Sequence, residues 1–486
     1  MTPHILMHLS YYPSQPPPQH DGKTPHVLIA GAGIGGLFFA LLLERAGIPY
    51  QIFEQAEDVR PVGSVISLGA NILPTFEQLG LYEELKAMAL PCMGNNYLDS
   101  DLRKVATLHT IHATETIGYD YMILSRPDLY DLLLSKIPEE KIHLGKKIES
   151  MQQNREDVMI RCEDHTTYHG DVLVGADGAF SAVRRSLYES LESQNLLPAT
   201  DSAEDPERRG YACLAGTTDN LDPEKFPIVT SDESVYHHML GEKSKKIRYT
   251  WTTFNITDNR IAWAVISKEP RPAKTEEVKR PNSEWAPENC DDMIKIVKDF
   301  RVACGSTLGG LINATPKEQM SKVFLEDRLY ETWNYGHTVL MGDAAHRMLP
   351  SSGQGPVCAM LDAVVLANCL YELTSVTPET ISKALDEYKA ERMPHVKAMY
   401  ARSKRNARIL MGNSLFDKCL RYITFNLAPQ GVRDNAIIEG TSYRPQLTFL
   451  PQVENRGTNK ILQQKFSKRY AQEEKQRRSK DTAAAV

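Results

Sequence analysis

The stretch that decides the fold is His26-Val-Leu-Ile-Ala-Gly31-Ala-Gly33-Ile-Gly35-Gly36, in which a short apolar run stops at glycine. Such a run is typical of a buried parallel strand. An almost wholly apolar segment, 37–46, follows it, and Gly47 ends that segment as glycine ends many helices. Residues 50–53 form a second strand-like run. The order strand, turn, helix, strand predicts a βαβ unit of about thirty residues.

The glycine spacing in this turn predicts a dinucleotide-binding site. Gly31 allows the sharp exit from the strand, Gly33 lets the backbone approach a pyrophosphate, and Gly36 lets the helix pack closely. The helix N-terminus offers N–H groups and a partial positive charge to the phosphates. Glu54 follows the second strand, where an acidic side chain accepts hydrogen bonds from a ribose 2′-hydroxyl. The alternative, a glycine-rich bend beside a surface carboxylate, does not account for the whole combination.

A second glycine turn lies roughly three hundred residues further along the chain. It reads Val339-Leu-Met-Gly342-Asp343-Ala-Ala-His346 and continues through Pro350 to Gly353-Gln-Gly355. Asp343 directly follows a buried strand, where its carboxylate can receive hydrogen bonds from a ribityl chain. Two turns so far apart suit one extended cofactor held at both ends, whereas NAD needs no distant second clamp. The pair of turns therefore points to FAD.

Two further segments fit the same cofactor. Ser125-Arg126-Pro-Asp opens a predicted helix, from which Arg126 can reach phosphate oxygens, and the alternative is a surface arginine at a helix start. Asp177-Gly178 follows the strand-like run 171–174. Asp177 therefore contacts the cofactor or merely caps the next helix. At the level of sequence both alternatives stay open.

Composition excludes several classes of protein. With 486 residues the chain is long enough for two or three domains, and its formal net charge of −6 argues against nucleic-acid binding. Nine Lys or Arg stand against two Glu between residues 456 and 480. This basic tail leaves open a weak contact with a membrane surface or an acidic partner, although a solvated tail is the simpler interpretation.

Targeting signals are also absent from the sequence. No apolar window approaches the ~20 residues of a membrane span, and the proline-rich start does not resemble a signal peptide. The eight cysteines are scattered, and no two are spaced like a zinc-binding or redox pair, so no metal site is predicted. These features predict a cytoplasmic protein without a transmembrane segment.

The patterns together predict an α/β protein. A Rossmann-type FAD-binding domain is interleaved with a substrate domain built on a mixed or antiparallel sheet, and a helical region follows. The aromatic and β-branched runs 249–254 and 260–266 predict a hairpin in that sheet, and a helical pattern runs from Pro378 to Gly412. The predicted boundaries are a disordered leader over 1–24, FAD-binding segments over 25–95, 120–200 and 326–400, substrate segments over 96–119 and 208–325, and a C-terminal helical region with the basic tail over 401–486.

As a set, these motifs resemble the single-component FAD-dependent monooxygenases of the aromatic-hydroxylase type, the group A flavoprotein monooxygenases. The resemblance covers about residues 25 to 400 and is greatest to a fungal-type branch that includes epoxidases of secondary metabolism. It implies FAD contacts at Gly31, Gly33, Gly36, Glu54, Gly63, Ser67, Arg126, Asp177, Gly342, Asp343, Gly355 and Pro356.

The resemblance also implies a mechanism. NAD(P)H binds transiently and reduces FAD, and O2 adds to the reduced flavin as a C4a-hydroperoxide. Its distal oxygen hydroxylates or epoxidises a small aromatic or isoprenoid-type substrate, while the protein positions the reactants and excludes water. No catalytic base is obligatory. Tyr211 is the candidate for orienting the substrate or moving a proton, and a buried structural tyrosine is the alternative.

The chain departs from the family pattern directly after the second turn. Pro356-Val-Cys358 stands where the family has an Asn and a Gln- or Gly-rich helix entry, and proline removes an N–H that otherwise faces the flavin. This departure leaves open a flavin dehydrogenase or oxidase on the same scaffold. A third hypothesis is a non-catalytic protein that keeps FAD structurally or has lost it.

Overall fold

The computed structural model describes residues 24–484 apart from 59–62, 110–112, 203–210, 245–246, 269–289, 326, 350–352 and 413. The leader predicted over 1–24 lies outside the described residues except for Thr24, and Pro350 of the second glycine motif also lies outside them. The described chain is the predicted α/β fold, organised around two main sheets.

The strands of the described residues are, in chain order, β1 (Val27–Ala30), β2 (Tyr50–Phe53), β3 (Val65–Leu68), β4 (Ala89–Asp99), β5 (Lys104–His109), β6 (Met122–Ser125), β7 (Ile142–His143), β8 (Ile148–Gln153), β9 (Val158–Cys162), β10 (Thr167–Gly170), β11 (Val172–Gly175), β12 (Tyr211–Thr217), β13 (Ser234–Ser244), β14 (Ile247–Ile256), β15 (Arg260–Lys268), β16 (Ser321–Leu325), β17 (Arg328–Leu329), β18 (Asn334–Tyr335), β19 (Thr338–Leu340) and β20 (His346–Arg347).

The α-helices are α1 (Ile34–Ala46), α2 (Leu73–Gln78), α3 (Tyr82–Ala87), α4 (Ala113–Ile117), α5 (Arg126–Leu134), α6 (Ala182–Ser193), α7 (Ala199–Ser202), α8 (Asp291–Val297), α9 (Leu308–Asn313), α10 (Gly355–Tyr371), α11 (Pro378–Met411), α12 (Leu415–Tyr422), α13 (Gln430–Thr441) and α14 (Lys468–Ala484). A π-helix, Ile423–Leu427, continues α12. The helix predicted from Pro378 to Gly412 is thus confirmed as α11.

The first glycine turn belongs to the predicted βαβ unit. β1 pairs in parallel with β2, and α1 connects the two strands. β11 pairs in parallel with the other side of β1, and β19 pairs in parallel with β11. The strand order β18-β19-β11-β1-β2-β7 brings strands from distant parts of the chain into one sheet. Because β1, β11 and β19 are parallel, the turns that follow them meet at the same edge of this sheet.

Apolar helices cover the parallel strands. All four residues of β1 and of β11 are buried, as expected of parallel strands covered on both faces. α1 buries a continuous run from Gly36 to Leu43, and α10 is apolar on nearly all sides. A helix that is apolar all round belongs in a protein interior, so these two helices form the centre of the main core.

The larger sheet has the strand order β16-β12-β15-β14-β13-β4-β6-β3, with β5 paired to β4. Its pairings are antiparallel except for that of β4 with β13. The predicted hairpin is confirmed as β14 and β15. Asp258 (φ 60°) and Asn259 (φ 52°) form its turn, since these residue types tolerate the left-handed conformation. β3 and β6 join this sheet although they lie in segments assigned by sequence to the FAD-binding domain, and the domain boundaries stay a prediction.

The C-terminal region is helical, as predicted, except for residues 442–467, which form neither helix nor strand. α11 starts with a capping box formed by Thr377 and Thr380, and α12, the π-helix, α13 and α14 follow. Within the described ranges, no helix combines the length and the apolar character needed to cross a bilayer.

Candidate flavin site

The first glycine turn is shaped by close approaches that only glycine permits. Gly31 has φ +98°, and a Cβ on it would lie 2.6 Å from the carbonyl oxygen of Ala176. A Cβ on Gly36 would lie 2.1 Å from the carbonyl oxygen of Gly31. At Gly33, in contrast, a Cβ would meet no atom within 4 Å. This open space borders the N-terminus of α1, which no side chain caps, so the N–H groups there are accessible to an anion.

Glu54 lies directly beside this turn. One carboxylate oxygen accepts a hydrogen bond from the backbone N–H of Ala32 at 2.8 Å, and the other accepts one from Ala56 at 3.0 Å. The two bonds fix the carboxylate at the carboxyl end of β2. Because Glu54 is partly exposed, the geometry fits the predicted contact with a ribose.

The second glycine turn closes against the same helix as the first. Gly342 has φ +58°, and a Cβ on Gly342 or on Gly35 would lie 3.1 Å from the Cβ of Ala359 in α10. The two turns are thus brought together across one small residue. Asp343, the next residue of the second turn, is exposed.

Basic side chains surround Asp343. Desolvation by the surrounding protein raises the pKa of the Asp343 carboxyl. The positive charges of His346, Arg347 and Arg126 oppose that rise. Arg126 is the first residue of α5. Gly63 has φ +123°, and a Cβ there would lie 2.7 Å from Cδ of Arg126. Gly63 and Arg126, which sequence singled out separately, therefore contact each other, and the charge of Arg126 acts on the second turn.

A buried ion cluster, which the sequence patterns did not predict, holds the second turn. Asp362 of α10 is fully buried, and its Oδ2 accepts a hydrogen bond from the N–H of Gly342 at 2.9 Å and lies 2.6 Å from Nε2 of His346. Its Oδ1 accepts a hydrogen bond from Nε of Arg392, in α11, at 2.8 Å. Burial alone would raise the pKa of Asp362, but the charges of His346 and Arg392 hold it below the ordinary value.

Two members of this cluster carried a sequence signal, since His346 ends the second glycine motif and Asp362 interrupts an apolar helix. Asp362 is the single charged residue of α10, and a lone charge in an apolar helix indicates a buried partner. Arg392 gave no such signal, because α11 carries many charged residues along its length.

Asp177 serves as a helix cap through one oxygen only. Its Oδ2 accepts hydrogen bonds from the N–H groups of Ala182 at 2.7 Å and Val183 at 3.1 Å, at the start of α6. Its Oδ1 is buried and has no hydrogen-bond partner among the described residues. Burial raises the pKa of this carboxyl. The capping alternative therefore accounts for one oxygen and leaves the other for a ligand.

Arg184, another residue that sequence reasoning did not assign, links the Asp177 segment to the second turn. Its Nη1 donates to the carbonyl of Ala344 at 2.8 Å, and its Nη2 donates to that of Ala179 at 2.7 Å. Arg184 is buried, so the two segments are tied by a guanidinium that faces away from solvent.

α10 presents its N-terminus beside the two turns. The helix starts at Gly355 with Pro356 in its first turn. Among the described residues, no side chain caps it and a Cβ on Gly355 would meet no atom within 4 Å. Ala359, one turn further on, is the residue that both glycine turns approach. Pro356 contributes no N–H to this N-terminus.

Two predicted site residues lie on the larger sheet. Ser67 of β3 lies close enough to Tyr236 of β13 to oppose the rise that burial causes in the pKa of the Tyr236 hydroxyl. Tyr211 starts β12 and is buried in an apolar cluster with Leu349, Ala407 and Met411. Leu349 follows the second turn, so Tyr211 packs under the continuation of that turn.

These residues fit a bound FAD. An uncapped helix N-terminus suits a pyrophosphate, a fixed carboxylate beside it suits a ribose, and an exposed aspartate among cationic side chains suits the ribityl end of the cofactor. The orphaned Oδ1 of Asp177 is a further polar atom that a ligand would satisfy. The fold and site together define a flavoprotein.

Known proteins agree with this class. The sequence pattern of the family described as "FAD binding domain" matches residues 24–203 and 220–403. The FAD-dependent monooxygenase nvfK of Aspergillus novofumigatus (strain IBT 16806) is 28% identical over 448 residues, which are 88% of this chain and 89% of nvfK. The FAD-dependent monooxygenase andE of Emericella variicolor is 30% identical over 404 residues, 80% of each chain.

Solved structures share the fold. The crystal structure of Klebsiella pneumoniae HpxO complexed with FAD and uric acid has a TM-score of 0.68 and 21% identity, and the match covers 86% of this chain and 97% of HpxO. The chain belongs to the FAD-binding family that includes these FAD-dependent monooxygenases, and it is an oxidoreductase with FAD as its cofactor.

Proposed function

We propose that this FAD-dependent monooxygenase uses NAD(P)H and O2 to insert one oxygen atom into a small aromatic or isoprenoid-type molecule, while the second oxygen atom leaves as water. The observation that carries the proposal is the convergence of the two glycine turns on Ala359, which builds one site for one extended redox cofactor. The fungal relatives favour a substrate from secondary metabolism.

The chain's own residues bind and orient the cofactor in this proposal. FAD, when bound, supplies the redox chemistry. The open backbone at Gly33 and the N-terminus of α1 bind the pyrophosphate, Glu54 binds a ribose, and Asp343 binds the ribityl hydroxyls. Arg126 supplies positive charge near the same carboxylate. The free oxygen of Asp177 accepts a hydrogen bond from the flavin or from the nicotinamide while its partner oxygen caps α6.

Asp362 and Arg392 act as positioning residues. They contact other protein groups and not the reacting atoms. Asp362 accepts a hydrogen bond from the N–H of Gly342, and Arg392 holds Asp362 in place. Because the carboxylate of Asp343 directly follows that backbone, a shift of Gly342 would move the ribityl contact with it.

The proposed substrate face is a row of neutral rings on the larger sheet. The ring of His238 lies 5.0 Å from that of Tyr97 and 5.6 Å from that of Tyr236, with interplanar angles of 16° and 18°. Both nitrogens of His238 have partners, Asn95 Oδ1 at 3.1 Å and Thr252 Oγ1 at 3.0 Å. Burial lowers the pKa of His238 to about 3, so the ring is neutral at physiological pH. We call Tyr97, Tyr236 and His238 the aromatic row.

An uncharged aromatic row suits a flat or apolar substrate. Stacked rings offer dispersion and quadrupole contacts but no charge to hold an anionic group. Tyr211 as a residue that orients the substrate or moves a proton stays a prediction, and its apolar neighbours Leu349, Ala407 and Met411 favour the structural alternative.

Pro356 supports a second candidate, a flavin oxidase on the same scaffold. The first turn of α10 offers one N–H fewer than a proline-free helix would. With fewer donors from α10, the site would favour transfer of the two electrons of NAD(P)H, with two protons, to O2 and so the formation of hydrogen peroxide. This candidate differs from the monooxygenase only in the fate of the oxygen.

Labelled oxygen separates the two candidates. The flavin-loaded protein is screened with phenolic and polyprenyl compounds for substrate-stimulated oxidation of NAD(P)H, and active compounds are then turned over under isotopically labelled O2. We expect one labelled oxygen atom in the product and consumption of one NAD(P)H for each product. Stoichiometric peroxide without labelled product would establish the oxidase instead, and a purified protein that does not take up FAD would contradict both candidates.

The predicted cytoplasmic location also stays a proposal. So does a weak membrane contact through the basic tail, residues 456–480.

A further inference from the structure

The C-terminal helices carry an exposed apolar surface. α12 and the π-helix that continues it form one rod over 415–427. Large apolar side chains on this rod are exposed by between 51% (Ile423) and 82% (Leu415), and they are Leu415, Phe416, Tyr422, Ile423 and Leu427. Their spacing places them on one side of a helix. We call these five residues the apolar stripe.

The opposite side of the rod is anchored to the protein. Arg421 donates from Nε to the carbonyl of Ile409 at 2.6 Å and from Nη2 to that of Gly412 at 2.9 Å. Asp417 is buried and accepts a hydrogen bond from Nε of Arg408 at 3.0 Å. Since both polar contacts point back to α11, the apolar stripe must face outward.

The chain segment that carries the apolar stripe has a surplus of cations, of which Arg421, Lys404 and Arg408 are engaged within the protein. Between residues 402 and 427 the chain has six Lys or Arg and one acidic residue, Asp417, although its overall net charge is −6. Arg408 neutralises that aspartate, and its guanidinium carbon also lies 5.0 Å from the ring of Phe416. Lys418 of the rod and Arg405 of α11 are both exposed, whereas Lys404 pairs with Asp327 at 3.2 Å.

We propose that the apolar stripe docks into the headgroup region of an anionic lipid bilayer. An outward, convex helix face with large apolar residues and flanking cations is the usual form of an interfacial helix, because apolar burial and attraction to anionic lipid add together. Large apolar side chains exposed together along one side of a helix are otherwise an aggregation liability. In this proposal the helical rod makes the main membrane contact, and the basic tail adds at most the weak contact that its charge allows.

The basic tail has other contacts within the protein. In α14, Nη1 of Arg469 donates to the carbonyl of Tyr371 at 2.9 Å, and Glu473 accepts a hydrogen bond from the Tyr371 hydroxyl at 2.7 Å. These bonds tie α14 to the end of α10, so the start of the tail helix is occupied by the FAD-binding part of the chain.

The position of the rod gives docking a consequence. On its buried side, Phe425 packs against Tyr97 of the aromatic row, with ring centroids 4.4 Å apart. A rod held at the bilayer surface would place the aromatic row close to a store of apolar molecules. The docking itself requires no turnover, so it can be tested separately from the proposed function.

Vesicle binding of the full-length, FAD-loaded protein tests the proposal. The probes are phosphatidylcholine vesicles with and without phosphatidylserine, at low and high salt. We expect sedimentation with the anionic vesicles, weakened by salt. The double variant Leu415→Ser with Phe416→Ser should reduce the bound fraction at least about tenfold, since two large apolar contacts are lost. Lys418→Glu should weaken binding to anionic vesicles further than to neutral ones.

A matched control is available in the tail. Phe466 and Leu462 are exposed to a similar degree, 83% and 52%, and lie next to the basic residues of the tail. Their replacement by Ser should leave vesicle binding unchanged, and all variants should keep their FAD absorbance. The proposal would be overturned if the wild-type protein did not bind anionic vesicles. It would also be overturned if the Leu415/Phe416 variant bound them as well as the wild type does. A dimer in sedimentation velocity that this variant dissociates would also overturn it, by showing a second copy as the occupant.

Discussion

Two aspartates at the second glycine turn differ in exposure and in role. Asp343 is exposed, surrounded by cations and available to a ligand, whereas Asp362 is buried and entirely committed to the protein. Asp362 satisfies Gly342, His346 and Arg392 at once. A buried charge without its partners is energetically costly. Asp362, His346 and Arg392 therefore stay together and jointly fix the position of the turn.

Replacing Asp343 tests the ligand contact. Asp343→Ala should weaken FAD binding by about ten- to hundredfold, because hydrogen bonds to a charged acceptor contribute about 1.5–3 kcal/mol. The apoprotein should unfold at the wild-type temperature, since the side chain is exposed. Flavin fluorescence titration measures the affinity, and Asp292→Ala, an exposed aspartate of α8, serves as the control. Full flavin retention in Asp343→Ala would remove the assigned role.

Replacing Asp362 tests the buried cluster. Asp362→Asn leaves the Arg392 guanidinium without its counter-charge, so it should destabilise the protein by about 3–5 kcal/mol at neutral pH. Urea unfolding at neutral pH measures this loss.

The effect of Asp362→Asn should depend on pH in one direction. The ion pairs hold the pKa of Asp362 below its unfolded value of about 4, so their stabilisation is complete above that value and is lost as the pH falls through the lower folded value. The difference in the free energy of unfolding between wild type and variant should therefore narrow only as the pH falls below about 4. A gap that is constant with pH would show that the carboxylate charge is not what stabilises the turn.

At the scale of elements, the site is built from the ends of two helices. α1 and α10 both lack a side-chain cap at their N-termini, and each begins next to a glycine turn. Uncapped N-termini leave N–H groups for a ligand. The glycines divide into those that the protein itself needs, Gly31 and Gly36, and those that border open space, Gly33 and Gly355.

This division predicts that substitution of Gly33 lowers FAD affinity, whereas substitution of Gly36 lowers the stability of the apoprotein. Gly33→Ala meets no protein atom and should leave the apoprotein as stable as wild type while FAD affinity falls, because the new methyl group enters the space for the pyrophosphate. Gly36→Ala would place a methyl group 2.1 Å from the Gly31 carbonyl oxygen and should destabilise the apoprotein by roughly 1–3 kcal/mol. Thermal unfolding of the apoproteins and FAD titration distinguish the two, and equal stability losses would refute the assignment.

Pro356 predicts a change in redox potential. Pro356→Ala restores one N–H to the first turn of α10, and an added donor near the flavin pyrimidine should favour the electron-rich reduced form. The two-electron midpoint potential should rise by on the order of 10–30 mV, which corresponds to one ordinary hydrogen bond. Spectroscopic redox titration measures it. An unchanged potential would place the N-terminus of α10 away from the flavin.

At the scale of the whole molecule, the cofactor joins parts of the chain that are remote in sequence. β1 and β19 lie in one sheet although every strand of the larger sheet lies between them in the sequence. Arg184, Asp362 and Arg392 cross-link the segments around the second turn. A ligand that contacts both turns should therefore stabilise the assembly of distant segments and not one local element.

FAD should accordingly raise the unfolding temperature of the apoprotein as a whole. At a free FAD concentration of a hundred times Kd, linkage gives about 2.7 kcal/mol of added stability. Riboflavin lacks the pyrophosphate and the adenosine end, so it should stabilise much less. Scanning calorimetry with each ligand measures both effects, and equal stabilisation by riboflavin would argue against the clamp by two turns.

The sequence by itself determined the local parts of this protein. The strand-glycine-helix order around Gly31, the Asp258-Asn259 hairpin turn and the span of α11 follow from short-range rules, because backbone conformation and apolar periodicity are set within a few residues. The same rules named the glycines, Glu54, Asp177 and Asp343, and the distance between the two glycine turns pointed to FAD before the family resemblance agreed with it.

Tertiary structure alone decided which distant residues meet. Ala359 between the two turns, Arg184 on Ala344, and Arg392 on Asp362 are contacts across long stretches of chain, and Arg392 looks in sequence like any other charge of a surface helix. Packing also decided that the apolar stripe faces outward while Phe425 faces Tyr97. Local patterns fix which side of an element is apolar, but only the folded chain fixes what that side contacts.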